Sequence, residues 1–299
     1  MRFSAIVPIL LGLAALTLSF LCLFAGSTPQ FLESYSLITL NTSQIGQDAL
    51  DSSLVNSNSD LANILDAIPE SIQDRAEDLL NTVARRLGLR DYYSVHLMTY
   101  CEGFYEPGSV PNATLSASDI DRNTTYCSNR TAFFEWDPRD SLQRNLNESG
   151  NSNVNVSDLN WPSQIDDGIR ALHTVQRATF VIYCVAIGLI ALATIAAIIS
   201  IVFSGRLSAC GNILLSFLAF LAIGVASGLV TAIVIIGVRT LNRYAEQVGI
   251  QAQRGTGFLA LTWSATAAMF ICVVWWTADC CIGRRNRGYK PAHQEKPPY

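Results

Sequence analysis

Charge is missing from long stretches of this 299-residue chain. Between Ala178 and Phe203, Ile213 and Val238, and Phe258 and Ala278 there is no Asp, Glu, Lys, Arg or His. That absence removes the intramembrane ionisable groups on which proton relays and ion paths are built. Lysine is nearly absent, with only Lys290 and Lys296. Histidine occurs three times, as His96, His173 and His293, in no metal-ligand or catalytic-triad arrangement. No glycine-rich loop follows a strand, so a phosphate cradle has no candidate. No Cys/His spacing matches a zinc site. The chain therefore reads as a non-enzyme, with no cofactor, no nucleic acid and no small-molecule substrate.

What is present is apolar length. Half of all residues are hydrophobic, and they are strung into blocks that a soluble core would not need. Together with Ile6 to Phe24, the uncharged runs make four stretches. Each is long enough to cross a hydrocarbon core of about 30 Å at about 1.5 Å per helical residue. The pattern predicts an all-α transmembrane four-helix bundle. Its expected boundaries are a first span over 1–26, a large loop over 27–176, a second span over 177–203 and a turn over 204–212. A third span over 213–238, a second loop over 239–257, a fourth span over 258–279 and a basic tail over 280–299 complete it. The first span reads as an uncleaved anchor; the alternative is a cleaved signal peptide, which would leave the other spans oriented the same way.

Charge and sequons orient the bundle. The large loop carries 21 acidic and 9 basic residues. The tail carries Arg284, Arg285, Arg287, Lys290 and Lys296 against Glu295. Cations clustered after a span are held in the cytoplasm, which puts both termini inside and the large loop outside. Arg239, Arg243 and Arg254 stand against this rule in the second loop, and the tail outweighs them. All six N-glycosylation sequons, at Asn41, Asn112, Asn123, Asn129, Asn147 and Asn155, fall in the large loop, the face where such sites are used.

Within that loop, Ser27 to Ser59 reads as a loosely ordered lead-in. Asp66 to Leu89 reads as an amphipathic helix with Ile72, Ala76, Leu79, Val83 and Leu87 on one face. Asp91 to Cys101 reads as a single strand, with His96 a structural ring in it, and Tyr126-Cys127 and Phe133 to Trp136 as further short extended pieces. Asn145 to Asn155 reads as a polar loop. Ile165, Ile169, Leu172 and Val175 recur at helical spacing and run into the second span. The carboxylates of Glu102, Glu106, Asp119 and Asp121 read as solvated.

Topology sorts the eight cysteines. Only Cys101 and Cys127 lie in the oxidising compartment, so each is the other's natural disulfide partner; the alternative is two free thiols. Cys22, Cys184 and Cys272 read as packing residues within spans. Cys280 and Cys281 stand where S-palmitoylation occurs, or are unmodified lipid-facing thiols; Cys210 is a weaker candidate. Gly224 and Gly228 form a Gly-xxx-Gly pair on the third span. It suits either packing inside the bundle or contact with another protein. The cations Arg284, Arg285, Arg287 and Lys290 would face anionic lipid, or serve only to fix topology.

Several blocks carry a resemblance. They are Tyr93 to Gly103 (YSVHLMTYCEG), Cys127, Phe134 to Pro138 (FEWDP), Trp161-Pro162, Ile165 to Gly168 (IDDG), Ser227 with Thr231, Leu241-Asn242, and Thr262 to Thr266 (TWSAT). In this order the chain resembles the fungal SUR7/PalI cortical-patch family, among the claudin-like tetraspans. No Gly-Leu-Trp triplet precedes the cysteines, so tight-junction polymerisation is not implied. The resemblance implies a multi-pass plasma-membrane protein of the eisosome, where such proteins organise static membrane patches and support cell-wall integrity and endocytosis. Its partners would be membrane lipids and either itself or other eisosome membrane proteins. The alternative is a PalI-type sensor or scaffold in ambient-pH or wall-stress signalling, whose members have longer tails.

Overall fold

The computed structural model describes residues 5–29, 31–43, 88, 90–108, 120–150, 163–202, 206–245 and 250–285. The described elements run in the order α1 (Ile6–Phe24), β1 (Ile38–Asn41), β2 (Tyr92–Val95), β3 (Tyr100–Glu106), β4 (Asp121–Cys127), α2 (Pro138–Glu148), α3 (Ser163–Val202), α4 (Arg206–Ala245), β5 (Gln251–Arg254) and α5 (Thr256–Arg285). Four helices, α1, α3, α4 and α5, are long and apolar enough to cross a membrane. The chain divides into two compact units, one of residues 1–20, 182–227 and 261–299, the other of residues 21–181 and 228–260.

The first unit is helical. Its four segments belong to helices whose uncharged faces have no reason to meet water. Small residues let them approach. A side chain at Gly12 of α1 would run into Thr194 Oγ1 of α3, so this position fixes how closely those two helices lie. Ala5, Ala197 and Trp276 form a buried cluster joined by Ile9, Ile201 and Ile213. The thiol of Cys272 on α5 lies 3.6 Å from the carbonyl of Pro8 on α1. Phe220 and Phe270 pack with ring centroids 5.5 Å apart.

The second unit is built on a five-stranded antiparallel sheet in the order β4-β3-β2-β1-β5. Its inner strand β1 pairs Ile38 with Val95 on one side and with Arg254 on the other. Residues expected to be a loose lead-in thus contribute an interior strand of the sheet; four residues are too few to give a periodic signal. The stretch expected as one strand from Asp91 to Cys101 is a hairpin. It turns at His96–Thr99, where the His96 amide donates to the Thr99 carbonyl at 2.9 Å. Phe133 to Trp136 is not a strand. Phe133 closes a turn begun at Ala132, with a left-handed φ of 58°, and 134–136 follow without regular structure.

Helix α2 takes in Asn145 to Glu148, read from sequence as the start of a loop, and the seven residues before them. Asp137 caps it, accepting from the Arg139 amide at 2.9 Å, and Pro138 opens its first turn. Leu142 and Leu146, one turn apart, are buried with Ser141 and Asn145. The three uncharged runs from 178 onward are helical over their described residues; two of the helices, α4 and α5, pass both limits of their runs, and α3 begins fifteen residues before its run, at Ser163. The end of α4 holds β5: Asn242 Nδ2 donates to the Ala252 carbonyl at 3.1 Å, and its Oδ1 accepts from the Ala252 amide at 2.6 Å. The amphipathic helix expected over Asp66 to Leu89 lies outside the described residues, apart from Gly88.

Candidate functional site

Two constructions carry the distinctive chemistry, one in each unit. In the sheet unit, Cys101 and Cys127 are directly opposed on β3 and β4 and joined by a disulfide, with Cα atoms 4.0 Å apart. The Gly26 carbonyl oxygen lies 3.3 Å from the Cys101 sulfur. Gly26 has a φ of 70°, and a side chain there would strike the His96 ring, so both conformation and space require glycine. His96 is fully buried. Burial pushes its pKa from near 6.5 down to about 4, against an opposing pull from the backbone of Tyr35.

One residue along β3, Glu102 is buried, contrary to the expectation of a solvated carboxylate. Its Oε1 accepts from Arg144 Nη2 at 2.9 Å and lies 3.6 Å from Arg90 Nε. Its Oε2 accepts from Asn145 Nδ2 at 3.3 Å, and the same amide donates to the Tyr93 hydroxyl at 2.8 Å. Arg144 also donates to the Tyr100 hydroxyl and lies over the Tyr126 ring at 4.6 Å. Burial raises the Glu102 carboxyl above its ordinary value, while Arg144, Asn145 and Arg90 pull the other way. Burial likewise raises Tyr93, with Glu102 adding to the effect. The cluster clamps α2 onto β3 with every carboxylate oxygen satisfied, the condition under which a buried charge is tolerated.

In the helical unit, Ser227 Oγ of α4 lies 2.8 Å from Thr262 Oγ1 and 2.8 Å from Thr266 Oγ1 of α5. It also donates to the Ile223 carbonyl of its own helix at 2.8 Å. Tyr183 of α3 reaches the same point, its hydroxyl donating to Thr262 Oγ1 at 2.9 Å. Four buried hydroxyls thus join three helices where no water competes.

The remaining sequence-predicted residues are scattered. Asn123, Asn129 and Asn147 are exposed, on β4, just after it and at the end of α2. Asn41 is half-buried, and its Oδ1 accepts from the Ser43 amide at 3.0 Å and the Ser43 hydroxyl at 2.7 Å. Asn112 and Asn155 lie outside the described residues. Gly224 faces Thr266, whose Cγ2 would stand 3.8 Å from an added Cβ, whereas among the described residues nothing lies within 4 Å of one added at Gly228. Cys280 is half-exposed and Cys281 exposed, near the end of α5. Arg284 and Arg285 close that helix, and Arg287 and Lys290 fall outside the described residues. Sequence reasoning missed the Glu102 clamp, whose partners lie up to 43 residues away. Ser227 stood out beside the Gly-xxx-Gly pair, whereas Thr262 and Thr266 were found only through the resemblance.

Four apolar helices with a disulfide-stapled antiparallel sheet define a tetraspan membrane protein. Residues 4–275 match the SUR7/PalI family, and the chain belongs to it. It is similar to the SUR7 family protein pun1 of Schizosaccharomyces pombe, 27% identical over 301 residues that cover 97% of this chain and 96% of that protein. No solved structure matches.

Proposed function

We propose that this chain is a non-enzymatic organiser of eisosome-type patches in the plasma membrane, acting in cell-wall integrity and endocytosis through lateral association. The observation that carries the reading is the split role of the Gly-xxx-Gly pair. Gly224 packs against Thr266 within its own unit, while Gly228, exposed on the next turn of α4, has no described residue within 4 Å of where a side chain would begin. An uncovered glycine on an apolar helix lets another backbone come close, and close packing drives association in lipid. The sheet unit faces outward, with sugars at its sequons, and both termini are cytoplasmic. There Cys280 and Cys281 accept acyl chains and the cations of the tail meet anionic lipid.

Imaging of a tagged chain tests the reading. Stable peripheral patches are expected, and Gly228→Leu should disperse them while the protein still reaches the cell surface. A wild-type signal that is uniform and freely diffusing would overturn it.

A further inference from the structure

The connection between β4 and α2 makes two separate contacts with the ends of apolar helices. Arg130 lies over the ring of Phe24, the last residue of α1, at 5.8 Å. Phe133 packs edge-on against Phe180 of α3, with centroids 5.4 Å apart. A third tie holds the connection down: Glu135 pairs with Arg177, and the Trp136 carbonyl lies 3.0 Å from His173 Nε2. The Arg177 contact holds the Glu135 carboxyl below its usual range.

Depth along α3 gives these contacts meaning. Arg177 is the last ionisable residue before the uncharged run that begins at Ala178. Phe180 stands three residues further on, about 4.5 Å along a helix axis. Both residues lie within the stretch His173–Val202 of α3 that is long and apolar enough to cross a membrane. Phe133 is nonetheless 52% exposed, and Val181 beside it 44%. Between them an open groove of about 440 Å³ is lined by Phe133, Arg177, Ala178 and Val181. Phe133 is held there in a left-handed conformation, which costs a bulky residue free energy in isolation. A large apolar ring held outward at this level, with a guanidinium one turn above it, matches the interfacial zone of a bilayer, where aromatic rings and arginine gather.

We propose that this connection, residues 130–136, is a membrane-contacting element: Phe133 seats in the leaflet on the sheet's side of the membrane, and phospholipid acyl chains fill the groove against Val181, with Arg177 at the level of the phosphates. The polar unit is thus moored to the bilayer at a point additional to the four spans.

The full chain in phospholipid nanodiscs tests this. 4-Trifluoromethyl-phenylalanine is placed by codon suppression at 133 and, in a second sample, at Tyr126, an exposed position on β4. A spin-labelled lipid should broaden the fluorine signal at 133 more than at 126, and a water-soluble gadolinium chelate should do the reverse. Equal access of the chelate to both positions, or broadening by the lipid probe at neither, overturns the proposal. Hydroxyl-radical footprinting of the unaltered protein gives an independent reading. Normalised to the intrinsic reactivity of each ring, Phe133 should be labelled less than Tyr126 in nanodiscs; equal normalised labelling counts against the proposal.

Discussion

Glu102 and Arg144 meet at 2.9 Å with the carboxylate fully buried and the guanidinium one-third exposed. The asymmetry makes the pair a clamp rather than a surface ion pair, because the acid has no access to water if its partner leaves.

Removing that acid should be costly. Glu102→Ala leaves Arg144, Arg90 and Asn145 facing a void, and a loss of about 2–4 kcal/mol is expected, discounted for the partial exposure of the arginines. Glu102→Gln keeps the shape and should lose less. A carboxyl whose folded pKa lies above its unfolded value stabilises the fold when protonated, and that contribution is lost as pH rises through the folded pKa. Wild-type stability should therefore carry a falling component above pH 4.5, absent in Glu102→Gln. Pulse proteolysis of the sheet unit in urea measures both.

His96 should act in the opposite direction. With its folded pKa lowered to about 4 from near 6.5, the neutral ring stabilises the fold, and the stability falls as pH drops between those values and levels below them. The expected loss is about 3 kcal/mol across the window. A His96→Gln protein should lack this slope in the same pulse-proteolysis measurement at stepped pH, whatever its stability at pH 7.

The disulfide closes a sequence separation of 26 residues. Cys101→Ser with Cys127→Ser should lower the stability of the sheet unit by about 3–4 kcal/mol in the chain-entropy treatment. The shift in the urea midpoint against the oxidised parent gives the number.

Much of this architecture was legible in the sequence, and the failures have a common cause. Runs without charge announced α3, α4 and α5 because lipid accepts nothing else. The cysteine pair followed from topology. α2 was legible too, in Asp137-Pro138 followed by Leu142 and Leu146, but its asparagines read as a loop. β1 was hidden, since Ile38 to Asn41 has only four residues to show alternation and is secured by neighbours at 92–95 and 251–254. Burial of Glu102 depends on Arg144, and no local pattern records a partner that distant.

The hydroxyl junction gives a further test. Ser227→Ala removes the contacts to Thr262 and Thr266 and should cost about 1 kcal/mol, the scale of side-chain hydrogen bonds between helices in membranes. Ser227→Thr should largely retain it. Steric trapping in bicelles resolves differences of this size.

A covalent bridge between facing strands also separates the integrity of the unit from the continuity of its backbone. A protease cut anywhere from 107 to 120, between β3 and β4, would leave both fragments tied through Cys101 and Cys127. The nicked chain would migrate as one species on a non-reducing gel and as two after reduction. Such a bond converts a scission into a tolerated scar.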